Sequence, residues 1–282
     1  MFGWLTDFYN SMVFSSNVDS FQRQIENGNT EEVKKLLDDC PALLTCTFGE
    51  DEEKPLGYAA SYRRAGIVRL LLDRKVDAKG RDKSGNGAIH WAAAADRPAI
   101  IEMLLAAGES VNGVDLYGAT PLLWAAEFGA LDAVKHLLAR KANAKAADKF
   151  GANAIHYLID GGRCYAAMKE ENDPHVKRWN KNAREIFRLL ADSGADFRSA
   201  AKYYPAPVVS CMNAKLMPLL EEMIARGVSA VAGETGPLKT RQDSFRELMA
   251  SGSADAALRA DQIVNQIFVT LNQRRRDAGN LE

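Results

Sequence analysis

The chain has 282 residues, of which 47% are hydrophobic, and its 36 basic and 37 acidic residues leave a net charge of -1. This balance excludes the basic surface that nucleic acid or anionic lipid requires, and the lack of an apolar run of about 20 residues excludes an integral membrane segment. Four cysteines without a Cys-x-x-Cys pair argue against a zinc site or a disulfide framework. The first basic residue, Arg23, lies too far along the chain for the basic start of a secretory signal, so we expect a cytoplasmic protein.

The N-terminal stretch 1–14 is rich in aromatic residues. Trp4, Phe8 and Met12 fall on one face of a predicted helix. Such a helix either covers the open end of the fold or contacts a membrane surface. Asp7 and the lack of Lys or Arg count against the membrane contact.

A second predicted element is a pair of helices joined by an Asn-Gly turn between Val18 and Leu44. An acidic segment follows at 49–54, GEDEEK, which we interpret as a solvated loop tip rather than a cation site.

From this point the sequence repeats every 33 residues. Asp82, Asp115 and Asp148 are equally spaced, and each is followed three residues later by glycine. The leucine pairs that keep the same spacing are Leu71-Leu72, Leu104-Leu105 and Leu137-Leu138. A period of this length indicates stacked supersecondary units.

Each unit has a physical interpretation. The Asp-x-x-Gly sequence at Asp115 is typical of a turn, and Thr120-Pro121 predicts a helix start, because the hydroxyl can cap and proline suits the first helical position. Ala125-Ala126 lets neighbouring helices approach closely. Val134 and the leucine pair form the apolar stripe of a second helix, and a glycine such as Gly108 ends it.

The fifth unit, starting at Asp148, carries about 20 additional residues at 163–182 between its two helices. A sixth unit follows, with Met223 in its second helix, and a degenerate seventh begins near Gly236. We expect residues 1–46 to form an N-terminal helix and capping unit, 47–232 the repeats, and 233–282 a helical C-terminal cap.

The segment Thr120 to Ala126, TPLLWAA, resembles the T-P-L-H-x-A-A motif of the ankyrin repeat family. Related segments are GAIHWAA at 87–93, KPLGYAA at 54–60 and NAIHYLI at 153–159. The resemblance, which covers about 19–233, implies an all-α ankyrin-repeat α-solenoid of about six repeats that binds other macromolecules and has no catalytic residues.

His90 and His156 occupy the histidine position of that motif, where the family's histidine bonds backbone between repeats. Layers about 8 to 10 Å apart would separate the two by roughly 20 Å, too far to share an ion. We therefore predict no metal and no cofactor. No nucleophile motif or phosphate loop is present, so we predict a non-enzyme, and an enzyme hidden in the insertion is the alternative of a different class.

Aromatic residues follow the histidine position in each unit, at Tyr58, Trp91, Trp124 and Tyr157. We expect them to form a stacked ladder that packs between repeats, or alternatively a partly exposed strip that also touches a partner.

Candidate partner-binding residues lie on the turns, on the first helices and in the insertion. They are Tyr62, Lys83, Ser84, Trp91, Tyr117, Trp124, Glu127, Phe128, Phe150, Arg163, Tyr165, Arg178 and Trp179. We expect a chain that is monomeric alone and binds one specific protein, as an inhibitor or immunity protein that neutralises a toxin or enzyme. The alternative is an adaptor or secreted effector that recruits a host protein.

Overall fold

A computed structural model describes the backbone of residues 3–167, 174–198, 207, 210–211 and 216–226. Side chains are described over the same residues except 3–14, 163–167, 174–176, 178, 217–218 and 224. The predicted seventh unit and C-terminal cap, 233–282, lie outside the described residues.

The described residues are mostly helical, and they contain no β-strand. The α-helices are α1 (Gly3–Asn27), α2 (Thr30–Asp39), α3 (Pro55–Ser61), α4 (Ala65–Asp73), α5 (Ala88–Ala94), α6 (Pro98–Ala106), α7 (Pro121–Glu127), α8 (Leu131–Ala139), α9 (Ala154–Ala167), α10 (Pro174–Asp192) and α11 (Met217–Ala225). A 3-10 helix, Pro41–Thr45, follows α2. The all-α prediction is therefore confirmed.

The chain forms two compact units, Met1–Asn143 and Ala144–Glu282. In the first, which we call unit 1, the helices alternate between two layers. Along the inner layer α1 packs against α3, α3 against α5 and α5 against α7, and along the outer layer α2 contacts α4, α4 contacts α6 and α6 contacts α8. Short helices in register every 33 residues are the stacked helical pairs that the period predicts.

Small residues let the inner helices approach, and leucines fill the space between the layers. Ala92, Ala93, Ala125 and Ala126 are fully buried. The first leucine of each predicted pair is also fully buried; these residues are Leu71, Leu104 and Leu137. Because neither layer can bury its apolar face alone, each repeat depends on its neighbours.

Proline starts three of the inner and outer helices of unit 1, at Pro55, Pro98 and Pro121, as its fixed φ favours. The predicted cap by Thr120 is wrong. This residue precedes α7, but its hydroxyl makes no cap bond and is buried without a hydrogen-bond partner. Proline rather than threonine therefore specifies this helix start.

Two positions in each repeat take a left-handed backbone. The first connects the two helices and is occupied by Arg63, Asp96 and Gly129, with φ of 63°, 59° and 62°. The second follows the outer helix and is occupied by Lys75, Gly108 and Lys141, with φ of 62°, 95° and 62°. The prediction that Gly108 ends its helix is confirmed. The adjacent repeats instead have lysine at the equivalent position, in the same left-handed conformation, which is strained for a residue with a side chain.

The N-terminal aromatic stretch is part of α1, which continues without a break to Asn27. The side chains that would decide between a cap and a membrane contact lie outside the described residues. Further along α1, Phe21 and Ile25 are fully buried, and Phe21 lies 6.0 Å from the ring of Phe48. Gly28, with φ of 77°, makes the predicted Asn-Gly turn.

In the second unit, α9 packs against α10 and α10 against α11. Ile186, Phe187 and Leu190 of α10 are fully buried, as is Met223 of α11. Most of the 20 additional residues extend these helices, since α9 runs to Ala167 and α10 begins at Pro174.

Candidate partner-binding surface

We call the turns between successive repeats fingers: finger 1 (49–54), finger 2 (81–86), finger 3 (114–119) and finger 4 (147–152). An aspartate closes fingers 2 to 4, whereas a backbone bridge between Phe48 and Glu53 closes finger 1. In finger 3, Oδ1 of Asp115 accepts hydrogen bonds from the amides of Tyr117 at 2.8 Å and Ala119 at 2.9 Å. Gly118, with φ of 86°, completes the turn. One buried carboxylate therefore fixes the loop whatever side chains its tip carries.

Fingers 2 and 4 have the same construction. Oδ1 of Asp82 accepts from the amides of Ser84 at 2.9 Å and Asn86 at 2.8 Å. Oδ1 of Asp148 accepts from Phe150 at 2.9 Å and from the amide of residue 152 at 2.8 Å. The Asp-x-x-Gly prediction is confirmed at all three sites.

Fingers 1 to 3 of unit 1 are joined by backbone hydrogen bonds. The amide of Lys83 donates to the carbonyl of Asp51 at 2.9 Å, and the amide of Leu116 donates to the carbonyl of Ser84 at 3.0 Å. A Cβ added to Gly85 would lie 2.7 Å from the Leu116 nitrogen, so glycine permits the close approach of the two fingers. The three tips therefore form one continuous surface.

Apolar side chains are exposed at finger 3. Val114, Leu116 and Tyr117 are 53%, 57% and 56% exposed. Scattered single exposed apolar residues are ordinary, but three within four positions on a hydrogen-bonded loop form a patch of the kind that marks interaction sites. Finger 4, described by itself in the second unit, exposes Phe150.

Charged side chains lie at the opposite end of the surface that fingers 1 to 3 form. Lys83 is exposed at finger 2, and its Nζ lies 3.3 Å from Oε1 of Glu52 and donates to the carbonyl of Glu50 at 2.7 Å. Lys83 thus ties finger 2 to finger 1, while the tip around Ser84 is half-buried.

The predicted aromatic ladder is partly present. The rings of Trp91 and Trp124 meet edge to face, with centroids 5.1 Å apart and an interplanar angle of 81°. Nε1 of Trp124 donates to Oδ2 of Asp115 at 3.2 Å. In the other direction, the Trp91 ring covers Gly57, where an added Cβ would lie 3.2 Å from Cδ1 of the indole. Both tryptophans are half-buried, so each packs between repeats and keeps an exposed edge.

Tyr58 belongs to a different cluster, against the start of the chain. Its buried ring lies 4.8 Å from the rings of both Phe48 and Tyr62. Its hydroxyl donates to Glu26 and accepts from Nε2 of Gln22 at 2.9 Å. Burial, followed by the bond to Glu26, raises the pKa of the Tyr58 hydroxyl.

The remaining candidates on the inner helices lie at their C-terminal ends. Tyr62 is exposed after α3, and Glu127 and Phe128 are half-buried at the end of α7. The Phe128 ring lies 6.3 Å from that of Trp124. These residues supply a second, less exposed aromatic surface in unit 1.

The insertion gives one correction. The sequence predicts that Trp179 contacts a partner, but this residue is only 3% exposed. Its ring packs where a Cβ on Gly162 would lie, with Cζ2 2.5 Å from that position, so it joins α10 to α9. The other candidates in the insertion, Arg163, Tyr165 and Arg178, have side chains outside the described residues.

His90 is a structural residue. It is fully buried, its Nδ1 accepts from the amide of Gly87 at 3.1 Å, and its Nε2 donates to the carbonyl of Ala119 at 3.2 Å, which joins one repeat to the next. Burial lowers the pKa of His90 below the ordinary histidine value. His156 is buried in the corresponding position of its own repeat, with Nδ1 3.3 Å from the amide of Asn153.

Among the residues that the structure describes, no three His, Cys, Asp or Glu side chains are grouped as metal ligands. Two of the described thiols are buried. Burial, and then the neighbouring Cys40, raises the pKa of Cys46 to about 12, and burial also raises that of Cys211. Both thiols stay protonated at neutral pH and are poor nucleophiles.

The sequence interpretation missed an ion pair between a partly exposed arginine and a buried carboxylate. Arg81, at the start of finger 2, binds Glu109 with both terminal nitrogens of its guanidinium, Nη1 to Oε1 at 2.9 Å and Nη2 to Oε2 at 3.0 Å. The side chain of Glu109 is fully buried. The two residues lie 28 positions apart, and a carboxylate in the loop after a helix carries no sequence signal that it is buried.

No helix in the described part of the chain is both long enough and apolar enough to cross a membrane. Two family models match the sequence: one described as Ankyrin repeats (3 copies) over residues 22–115, and one described as Ankyrin repeats (many copies) over residues 104–158. No curated protein matches the sequence significantly.

Proposed function

Since residues 22–158 belong to the ankyrin-repeat family, whose repeats are protein-interaction modules and are typically non-catalytic, we propose that this protein acts by binding one protein partner through unit 1. The contact surface consists of fingers 1 to 3 and the exposed edges of the inner-layer helices.

One observation carries this proposal: an exposed apolar patch stands on a preorganised loop. Val114, Leu116 and Tyr117 project from finger 3, whose backbone is held by Asp115 and by the bond to Ser84. A loop already fixed in its bound form loses little conformational entropy on association. An exposed tyrosine on such a loop has the character of an interface anchor, and the neighbouring leucine and valine add apolar area around it.

The inner helices extend the surface. Tyr62, Trp91, Trp124 and Phe128 offer aromatic edges along successive repeats, and Glu127 adds a carboxylate. Because the two tryptophans also pack between repeats, we assign the partner's binding energy mainly to the finger patch and to Tyr62 and Phe128.

The preorganised fingers favour the narrower role of an inhibitor or immunity protein that neutralises a toxin or enzyme. A surface fixed before binding suits one tightly held partner, whereas an adaptor that recruits several partners benefits from surfaces that repack. We further propose that the chain works in the cytoplasm as a monomer, in keeping with its balanced charge and with the free thiols of Cys40, Cys46 and Cys211.

An affinity capture of partners with the full chain, followed by calorimetry, tests this function. We expect the double variant Leu116→Ser/Tyr117→Ser to bind the captured partner at least tenfold more weakly, about 1.4 kcal/mol. Arg69→Ser, at an exposed position of the outer helix α4, is the matched control and should bind normally.

The partner's own activity then separates the two roles. A toxin or enzyme that loses activity in the complex supports the neutraliser, and a partner that stays fully active supports the adaptor. Equal affinity of the finger variant and the control would remove the fingers from the interface.

A further inference from the structure

Fingers 1 to 3 differ in chemistry from one end of the surface to the other. Finger 1 exposes three consecutive carboxylates, on Glu50, Asp51 and Glu52, whereas finger 3 exposes the apolar patch of Val114, Leu116 and Tyr117. The surface that the proposed function assigns to a partner is therefore acidic at one end and apolar at the other.

The lysines of fingers 1 and 2 neutralise the acidic end only in part. Lys83 is within 3.3 Å of Glu52, and its second contact is the carbonyl of Glu50 rather than a carboxylate. Finger 1 also contains Glu53 and Lys54, so its four carboxylates outnumber the ammonium groups of Lys54 and Lys83 by two. Burial, and then the negative charges of neighbouring aspartates, raises the pKa of Glu53, as a locally negative potential requires.

The backbone bonds between fingers set the distance across this surface. Asp51 is bonded to Lys83, the next residue is Ser84, and Ser84 is bonded to Leu116. Two spacings of about 5 Å between hydrogen-bonded segments and one Cα step of about 3.8 Å place Asp51 and Leu116 within about 15 Å of each other. An extended peptide covers that distance in about four residues.

We propose that the partner presents a basic and apolar segment to these fingers: an aromatic or aliphatic side chain against Val114, Leu116 and Tyr117, and Lys or Arg about four residues away against Glu50 and Asp51. This inference rests on the proposed function and specifies the chemistry of its partner. Charge complementarity selects the occupant, because an acidic segment would be repelled by finger 1 and a purely apolar one would leave exposed carboxylates beside it.

A second copy of the chain is a less complementary occupant. A two-fold contact would place finger 1 of one copy either against finger 1 of the other, which brings like charges together, or against finger 3, which sets carboxylates against apolar side chains.

Panning of a random 12-residue peptide library against the immobilised full chain tests the inference. We expect enriched peptides to carry Lys or Arg three to five residues from Leu, Phe, Tyr or Trp. Their affinity should fall at least tenfold in Leu116→Ser/Tyr117→Ser and in Glu50→Lys/Asp51→Lys, and panning against the second variant should enrich acidic peptides instead.

Glu31→Lys/Glu32→Lys is the matched control, because it makes the same charge change at two exposed positions of the outer helix α2. It should leave peptide affinity unchanged. Far-UV circular dichroism checks that each variant is folded. The unmodified chain supplies a second measurement, since affinity for an enriched peptide should fall several-fold between 50 and 300 mM salt.

Enriched peptides without basic residues, affinity that is independent of salt, or unchanged peptide affinity in either finger variant would overturn the inference. A library that yields no binder would also overturn it, while a protein captured through Tyr62 and Phe128 would leave the proposed function standing. A dimer in light scattering that Leu116→Ser dissociates would assign the patch to self-association instead.

Discussion

His90 links repeats through its neutral imidazole, and its replacement tests that role. The ring is fully buried, accepts a hydrogen bond from Gly87 and donates one to the carbonyl of Ala119. His90→Leu is the informative change, because the chain itself has leucine at the equivalent position, Leu123, which is also fully buried. The variant should therefore fold while losing both hydrogen bonds.

The loss in the free energy of unfolding that we expect for His90→Leu at neutral pH depends on whether the two groups bonded to His90 find other partners. The Ala119 carbonyl keeps a bond from the amide of Asp115 at 3.1 Å, whereas the buried amide of Gly87 loses its bond to the imidazole. One buried donor without an acceptor costs about 1–3 kcal/mol, reduced by the apolar contacts of the new leucine.

Lowering the pH should reduce the stability that His90 contributes. Because burial lowers the pKa of His90 in the folded chain, the folded state holds the neutral imidazole while the unfolded chain takes up a proton below about pH 6.5. The stability contributed by this residue is present above that pH and is lost as the pH falls, by up to about 1.4 kcal/mol at pH 5.5. The difference between the unmodified chain and His90→Leu should therefore narrow on acidification.

Urea unfolding at pH 7.5 and 5.5, followed by far-UV circular dichroism, measures this difference. His136→Gln is the control: it removes the other described histidine of unit 1, which is partly exposed beside Glu102, and it leaves His90 in place. A gap between His90→Leu and the unmodified chain that is the same at both pH values would refute the argument from a buried neutral imidazole.

Three further predictions concern the stability of unit 1, and the midpoint of urea unfolding checks each. Leu137→Ala should cost about 2–5 kcal/mol because the side chain is fully buried, and a loss under about 1 kcal/mol would mean that the repeat register is wrong. Arg81→Ala should cost about 3–5 kcal/mol because it leaves the buried carboxylate of Glu109 unpaired, and Arg81→Met/Glu109→Leu should recover most of that loss. Lys141→Gly should gain about 0.5–1 kcal/mol by relieving a left-handed backbone, whereas Lys141→Ala should gain nothing.

The repeat architecture of unit 1 could be predicted because several independent signals coincide at one period. Asp82 and Asp115 mark the turns, Leu104 and Leu137 mark the interior, and each signal reflects a local requirement of the backbone or of burial. Local requirements recur in every repeat, so a single sequence displays them several times. The role of the buried histidine was implied instead by the resemblance to the ankyrin motif, since position 123 of the intervening repeat is leucine.

Features that depend on one particular pair of side chains could not be predicted. Arg81 and Glu109 are ordinary surface residue types, and the burial of Glu109 follows from packing between repeats. Trp179 lies in a segment without repeat partners, and its burial depends on Gly162, seventeen residues earlier in another helix. The left-handed lysines were missed because lysine gives no sign of a positive φ, although Gly108 at the equivalent position did.

The structure of the fingers explains why the candidate contact residues do not repeat in sequence from one repeat to the next. In finger 3 the aspartate carboxylate binds the amides of Tyr117 and Ala119, and the backbone of Leu116 binds Ser84. All of these bonds use backbone amides, so the tip side chains contribute little to the shape of the loop. Val114, Leu116 and Tyr117 can therefore change without unfolding the repeat, and the apolar residues found there are explained better by binding than by stability.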